Sequence, residues 1–204
     1  MPDYGNVNYW DERYSCQENK IFDWYQDASV LKTLLAPYLK KGQADFEILI
    51  PGCGNSSLGQ QLYDEGYVNI TNIDISSVVI AQMHDKYIEK SEMEYQKMDA
   101  RNMQIPDNCF DLIIDKALFD AQLCSIDNMS SVNSLLKEMY RVLKPGGVYF
   151  IVSHAEPSRR LSYLTRGGFR WSVEYIAVTK QQVNGLVEDG SQKYHYVYSC
   201  RKNI

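Results

Sequence analysis

The sequence predicts an α/β fold: a mainly parallel seven-stranded sheet closed by an antiparallel C-terminal hairpin, with helices on both faces. Two observations carry this expectation. Short apolar runs alternate with amphipathic segments of helical period from residue 46 to residue 152, the pattern of a parallel sheet with crossover helices. After Ser153 and His154 the alternation stops, and two strand-like runs follow with no helical pattern between them, which requires antiparallel pairing.

Each element has its own signal. Asp27–Leu39 reads as a helix that Pro37 must kink or end early, because proline lacks the amide hydrogen and clashes with the preceding turn. The strand candidates are Phe46–Ile50, Asn69–Ile73, Glu94–Met98, Phe110–Ile114 and Val148–Val152, the last apolar throughout and suited to burial on both faces. Ser56 and Ser57 can cap a helix running to Gly66, and Ser76 and Ser77 can cap the next. Ser130 or Ser131 opens a third, with Val132, Leu135, Leu136, Met139, Tyr140 and Leu143 as its apolar stripe, ended by Pro145-Gly-Gly147. Phe169–Val178 and Tyr194–Cys200 form the hairpin, joined through a polar segment, 181–192, that contains Gly185 and Gly190.

Composition narrows the function classes. The chain has 204 residues, enough for one substantial domain, and a formal charge of −5, which disfavours nucleic acid as a partner. The cluster Arg159, Arg160 and Arg166 reads as a solvated helix face. No apolar run is long enough to cross a bilayer, no leader pattern opens the chain, and five scattered cysteines suggest neither a disulfide framework nor a metal site. These features fit a cytoplasmic protein, expected to be a monomer with no metal.

The chemistry sits at strand ends. The first strand runs into Pro51-Gly-Cys-Gly-Asn-Ser56 with a helix directly after it, so Gly52 and Gly54 allow a tight turn and the approach of a ligand to the main chain. Asp74 ends the second strand, where a carboxylate can accept from both hydroxyls of a ribose or cap the following helix. A dinucleotide-binding dehydrogenase would show the same pair, but Ser57 stands where its third glycine belongs. Asp99 and Ala100 follow the third strand and offer a carboxylate and an amide to an adenine, with Met103 available to pack against its face.

Taken together, Ile48–Ser56, Asn72–Ser76, Met98–Ala100, Phe110–Asp115 and Arg141–Gly147 resemble the motifs of the class I S-adenosylmethionine-dependent methyltransferases, in order and over nearly the whole chain. The resemblance implies one Rossmann-like domain with a helical N-terminal cap (1–42), a cofactor-binding core (43–154) and a C-terminal helix and hairpin (155–204). A narrower resemblance, carried by Tyr9-Trp-Asp-Glu-Arg-Tyr14, Phe22-Asp-Trp-Tyr25 and Asp115-Lys-Ala-Leu-Phe-Asp-Ala121, is to the group that methylates lysines of translation elongation factor 1-alpha. That group usually has Gly-Thr-Leu where this sequence has Ala117-Leu118-Phe119. It implies S-adenosyl-L-methionine as cofactor, S-adenosyl-L-homocysteine as product and a protein substrate such as a translation factor. Contacts to the cofactor fall to Trp10, Tyr14, Tyr25, Gly52, Asp74, Ile75, Asp99, Ala100 and Lys116.

Physical reasoning adds roles at matching positions. Gly54 belongs to the same turn, and Asp115 is placed to meet the cofactor's ammonium group. Trp10, Tyr14 and Tyr25 form a lid whose ring faces suit a sulfonium cation, or a helix packed on the sheet, and Arg13 or a tyrosine hydroxyl can hold the cofactor's carboxylate. Lys116 and Asp120 are the catalytic candidates, Asp120 either orienting a lysine ammonium or capping a turn, and His154 is a candidate proton acceptor. Two other functions share this pattern: a small-molecule N- or O-methyltransferase and a cofactor-binding subunit without catalysis.

Overall fold

The computed structural model describes residues 4–16, 22–125, 127–180 and 193–204. Seven strands form one sheet in the order β3-β2-β1-β4-β5-β7-β6. They are β1 (Ile48–Pro51), β2 (Ile70–Asp74), β3 (Met93–Lys97), β4 (Phe110–Lys116), β5 (Leu143–Ser153), β6 (Trp171–Thr179) and β7 (Tyr194–Lys202). The first five run parallel, and β7 pairs antiparallel with both β5 and β6. All seven expected strands are present, each shifted by a few residues at one or both ends. The polar connection expected between β6 and β7, 181–192, lies outside the described residues.

Strand order reverses beside β1, whose neighbours are β2 and β4. In an open parallel sheet the loops leaving the carboxyl ends of such strands diverge to opposite faces and leave a crevice. Side-chain alternation builds a core on each face. Ile48, Ile50, Leu112, Ile114, Phe150 and Val152 point to one side, under α2 (Ala28–Leu35), α3 (Leu58–Asp64) and α4 (Ser77–Lys86). Leu49, Ile113, Tyr149 and Ile151 point to the other, under α5 (Leu118–Leu123), α6 (Asn128–Val142) and α7 (Pro157–Leu164). The remaining helix, α1 (Val7–Cys16), lies against α4.

Local signals explain most boundaries. Asp27 caps α2 by accepting from the Val30 amide at 3.0 Å, and the helix ends at Leu35, two residues before Pro37. Ser76 caps α4 by accepting from Val79 N at 3.3 Å. Gly66 follows α3 at φ +96°, a left-handed stop that glycine adopts without strain. Two expectations need correction. Helix α6 begins at Asn128 rather than at Ser130 or Ser131, and Ser131 is buried on its inner side. Strand β5 begins at Leu143, so Pro145-Gly-Gly147 lies within the strand; a Cβ on Gly147 would come within 3.0 Å of the Asp111 carbonyl of the neighbouring strand. Among the described residues no helix is long and apolar enough to cross a membrane, and no group of side chains could hold a metal.

Candidate active site

A cavity opens at the carboxyl ends of β1, β2 and β4, and most of the candidate site residues line it: Trp10, Tyr14, Tyr25, Gly52, Gly54, Asp74, Ile75, Asp99, Ala100, Lys116 and Asp120, with Arg13 and His154. The glycine turn forms its floor. Gly52 and Gly54 hold φ +61° and +51°. A Cβ on Gly54 would sit 2.7 Å from the Tyr14 hydroxyl, and one on Gly52 would meet Leu118 at 3.0 Å. The turn is stapled to β2: Cys53 N donates to the Ile73 carbonyl at 3.0 Å, and Gly54 N to the Asp74 carboxylate at 3.0 Å. The other Asp74 oxygen accepts from Ser76 N at 3.0 Å, so Asp74 organises both the turn and the start of α4 while its carboxylate borders the cavity. Burial raises its pKa against the pull of these backbone amides.

At the end of β3, Asp99 is paired with its own neighbour. Arg101 donates from Nε at 2.9 Å and from a terminal nitrogen at 2.8 Å, a forked contact within three residues. Met98 and Ala100 line the cavity beside it. Met103 does not: it is packed in the core against α6, so it is no candidate to cover a ligand's ring.

The N-terminal segment roofs the crevice. Trp10 and Tyr14, one helical turn apart on α1, stack at 5.8 Å between centroids. The Arg13 guanidinium is gathered among rings, 5.1 Å from both Phe22 and Trp24 and 5.7 Å from Trp10, and it reaches the cavity. Two carboxylates that the sequence reading left without a role pin this roof down. Asp11 accepts from the Ser76 hydroxyl at the start of α4. Asp23 accepts from both Ser56 and Lys116. The Lys116 ammonium is thereby committed to a buried ion pair with the roof, its side chain only 7% exposed, and is not presented as a reacting group. Burial lowers its pKa, opposed by Asp23.

Asp115, like Met103, is a candidate that the structure does not bring to the cavity. Its side chain turns into the core with no exposed surface. Both oxygens accept from Phe119 N at 3.1 Å, and Oδ2 also accepts from the Tyr149 hydroxyl at 2.7 Å. Burial pushes its pKa up to about 7. The expected contact to a cofactor ammonium is therefore corrected: the carboxylate anchors α5 to β4 and β5 instead.

Asp120 is a hub. Its Oδ1 accepts from Ser153 Oγ at 2.7 Å and from Arg160 at 2.9 and 3.0 Å. Its Oδ2 accepts from His154 N at 2.9 Å and lies 2.7 Å from His154 Nδ1 and 3.0 Å from the Tyr25 hydroxyl. Burial alone would raise the carboxyl pKa, but the hydrogen bond from His154 and the charge of Arg160 outweigh it and hold it at about 2. Arg160 is thus 7% exposed and ion-paired, which corrects the reading of this arginine as part of a solvated face; Arg159 and Arg166 are exposed. His154 lines the cavity, and Tyr25, at φ +65°, reaches both it and Asp120.

The fit of the residues to an adenosine-bearing ligand rests on this geometry. The glycine turn leaves no Cβ over the crevice floor, Asp74 presents a carboxylate where a ribose would lie, and stacked aromatic rings close the top. Comparisons with known proteins agree with it. The family described as a methyltransferase domain matches residues 49–151. The eEF1A lysine and N-terminal methyltransferase of Homo sapiens is 35% identical over 187 residues, covering 89% of this chain and 26% of that protein. The chain thus spans about a quarter of the length of that relative. The EEF1A lysine methyltransferase 4 of Mus musculus is 31% identical over 181 residues, covering 84% of this chain and 70% of the relative. Among solved structures, the Haemonchus contortus phosphoethanolamine N-methyltransferase 2, in complex with S-adenosylhomocysteine, superposes with a TM-score of 0.70 at 15% identity, over 97% of this chain and 58% of that one. An S-adenosylmethionine-dependent methyltransferase from Methanosarcina mazei superposes with a TM-score of 0.63 at 19% identity, over 90% of this chain and all of that one. At these identities the structural likeness speaks for the fold alone.

Proposed function

The chain belongs to the methyltransferase-domain family, and we propose that it is an S-adenosylmethionine-dependent enzyme that methylates a lysine side chain of a protein, with a translation elongation factor 1-alpha as acceptor. The observation that carries the reading is the aromatic roof joined to the glycine-turn crevice. The human and mouse relatives that bear lysine-methyltransferase names match across 89% and 84% of the chain, beyond the domain matched at residues 49–151. The same reading makes the protein a monomeric enzyme of the cytoplasm, where translation factors work, with its 1–42, 43–154 and 155–204 segments acting as roof, cofactor core and acceptor-side edge.

When bound, the cofactor supplies an electrophilic methyl group on a sulfonium sulfur. The chain's part is to bind, align and exclude water. Gly52 and Gly54 would let a ligand lie against the main chain, Asp74 would accept from the ribose hydroxyls, and Ile75, Asp99 and Ala100 would flank the adenine. Trp10, Tyr14 and Tyr25 would cover the sulfonium end, and Arg13 would take the carboxylate. Lys116 acts indirectly, holding Asp23 and with it the roof. Such alignment can supply roughly 7–11 kcal/mol of barrier reduction. The acceptor lysine must arrive neutral, against an ordinary pKa of about 10.4, and desolvation among the roof aromatics favours that form.

The test is incubation of the purified protein with methyl-labelled cofactor and recombinant elongation factor 1-alpha, followed by peptide mass spectrometry. Label on a lysine is the expected result. Label confined to small molecules of a lysate, with the elongation factor unmodified, would overturn the acceptor assignment and leave the methyltransferase intact.

A further inference from the structure

Asp120 is saturated. A carboxylate offers about four acceptor positions, and six donor atoms from four residues converge on this one: Ser153 Oγ, two nitrogens of Arg160, the Tyr25 hydroxyl, and His154 N and Nδ1, all at 2.7–3.0 Å. Its charge is balanced by Arg160 inside the fold. A lysine ammonium entering the cavity therefore finds neither a vacant oxygen nor a net negative charge at Asp120. The expectation that Asp120 receives the ammonium fails on that count, and the proton of the acceptor needs another destination.

The ring of His154 is the group that the carboxylate positions. A neutral imidazole carries its hydrogen on one nitrogen and a lone pair on the other, and the contact made by one nitrogen decides which. With Nδ1 at 2.7 Å from Asp120 Oδ2, the hydrogen belongs on Nδ1 and Nε2 becomes the basic atom. The His154 side chain is 46% exposed and borders the cavity, while Asp120 is buried behind it. The titratable and charged groups gathered about it are Asp120 from α5, Arg160 from α7, Tyr25 from the segment before α2 and, against the Tyr25 ring at 4.9 Å, His195 from β7.

We propose that His154 accepts the proton of the acceptor ammonium, and that Asp120 and Tyr25 are the positioning residues that hold its ring in the basic orientation. This rests on the reading of the acceptor as a lysine amine. An N–H bond of the ammonium breaks as an Nε2–H bond forms, and the electron pair left on nitrogen makes the new C–N bond as the C–S bond opens, its electrons staying on sulfur. The imidazolium then returns its proton to water. Tyr25 sits two residues after Asp23, which is latched to Lys116 and Ser56, so the ring of His154 is completed by the same segment that roofs the cavity.

The test compares wild type with His154→Gln and Tyr25→Phe, using elongation factor 1-alpha as acceptor and S-adenosylhomocysteine as the calorimetric probe. For His154→Gln, kcat falls about 100-fold or more at pH 7 with probe affinity within about threefold of wild type. The deficit shrinks toward pH 9.5, because the neutral amine then forms without a base. Tyr25→Phe gives a smaller loss, several-fold, with the same convergence. Free imidazole restores part of the activity of His154→Ala. A deficit equal at every pH, no deficit in kcat, or a loss confined to probe binding would overturn the assignment. A reading that needs no acceptor keeps it separate from the substrate question: nitrogen NMR of the wild-type protein should show neutral His154 protonated at Nδ1, and protonation at Nε2 would overturn the proposal even if the elongation factor is a substrate. Wild type that leaves the elongation factor unlabelled overturns the acceptor reading, and the NMR result then decides the role of His154.

Discussion

At the glycine-turn end, the cavity is walled by backbone and by carboxylates bonded to amides close in sequence: Gly54 to Asp74 across 20 positions, Asp99 to Arg101 across two. At the Asp120 end it is bordered by Tyr25, Asp120 and His154, and the carboxylate is held mainly by side chains of Tyr25, Ser153, His154 and Arg160, which lie 33 to 95 positions from it. The first end is made by the strand-to-helix turns of the fold and needs few particular side chains. The second is a buried ion pair with a polar shell, and such a shell stands or falls together. The comparison predicts that damage at the second end unfolds the protein, whereas damage at the first end empties the site of a folded one.

Arg160→Met is the largest blow to that difference. It keeps the volume but strands the Asp120 charge, 3% exposed, without its cation. Removing one partner of a buried pair costs about 3–5 kcal/mol. Urea unfolding at pH 7 should show that loss, while the folded fraction binds S-adenosylhomocysteine with affinity within a few-fold of wild type. A stability within 1 kcal/mol of wild type, on the scale of about 0–1 for a surface pair, would show that Asp120 is solvated after all.

Asp115 sits beneath both ends and gives a pH-dependent contrast. Its carboxyl ionises near 3.9 in the unfolded chain and, through burial, at about 7 in the folded one. The folded pKa is the raised one, so the stability this group contributes is fully present below about pH 3.9 and lost as pH rises through about 7. Asp115→Asn keeps an acceptor for Phe119 N and for the Tyr149 hydroxyl without a charge to bury. The variant should match wild type near pH 4 and exceed it at pH 8, by up to about 4 kcal/mol. A variant less stable at pH 8 would mean that the carboxylate is wanted ionised.

Asp74→Ala probes the first end. Two ribose hydroxyl contacts to a carboxylate are lost, so calorimetry should find S-adenosylhomocysteine bound about 100-fold more weakly, some 2.7 kcal/mol. Folding should be disturbed less than by Arg160→Met, since the substitution removes the charge together with its hydrogen bonds and leaves two neutral amides, not a buried ion, without a partner. Equal damage to stability at both positions would erase the distinction between the two ends.

The two ends also differ in how far they were legible in the sequence. Gly52, Gly54, Asp74, Asp99 and Ala100 could be read because each follows a strand whose apolar pattern marks its end, and all five line the cavity. Asp120 was legible as a residue but not as a structure. Nothing local joins it to Arg160, which on α7 has the look of one more charged position, and only the strand order 1-4-5-7 brings β4, β5 and α7 round the same carboxylate. Asp115 was misplaced for a related reason. The end of a strand points successive side chains to opposite faces, and a one-residue choice of register decides between cavity and core. Asp11 and Asp23 lay within quoted motifs, yet their partners Ser76 and Lys116 are 65 and 93 positions away. The fold was read more fully than the site because hydrophobic period repeats along the chain and long-range hydrogen bonds do not.

Ala117 gives the smallest expected effect and ties the two ends together. It joins β4 to α5 at φ +79°, a left-handed conformation that costs a residue with a Cβ roughly 1–2 kcal/mol. The group that this segment resembles usually has glycine here, a residue that adopts such a turn without strain. Ala117→Gly removes that strain but returns about 0.4–1 kcal/mol of freedom to the unfolded chain. The net gain is about 0.5–1 kcal/mol, a rise in Tm of roughly 1–4 °C for a chain of this size. A scan at fixed pH checks the sign. Because the Ala117 side chain borders the cavity and opens the helix that carries Asp120, the same variant should alter kcat for a protein acceptor more than affinity for S-adenosylhomocysteine. A rise in Tm with unchanged kcat would mean that the methyl group is merely tolerated; a fall in Tm would mean that its packing outweighs the backbone strain, and that the turn has been refitted around alanine.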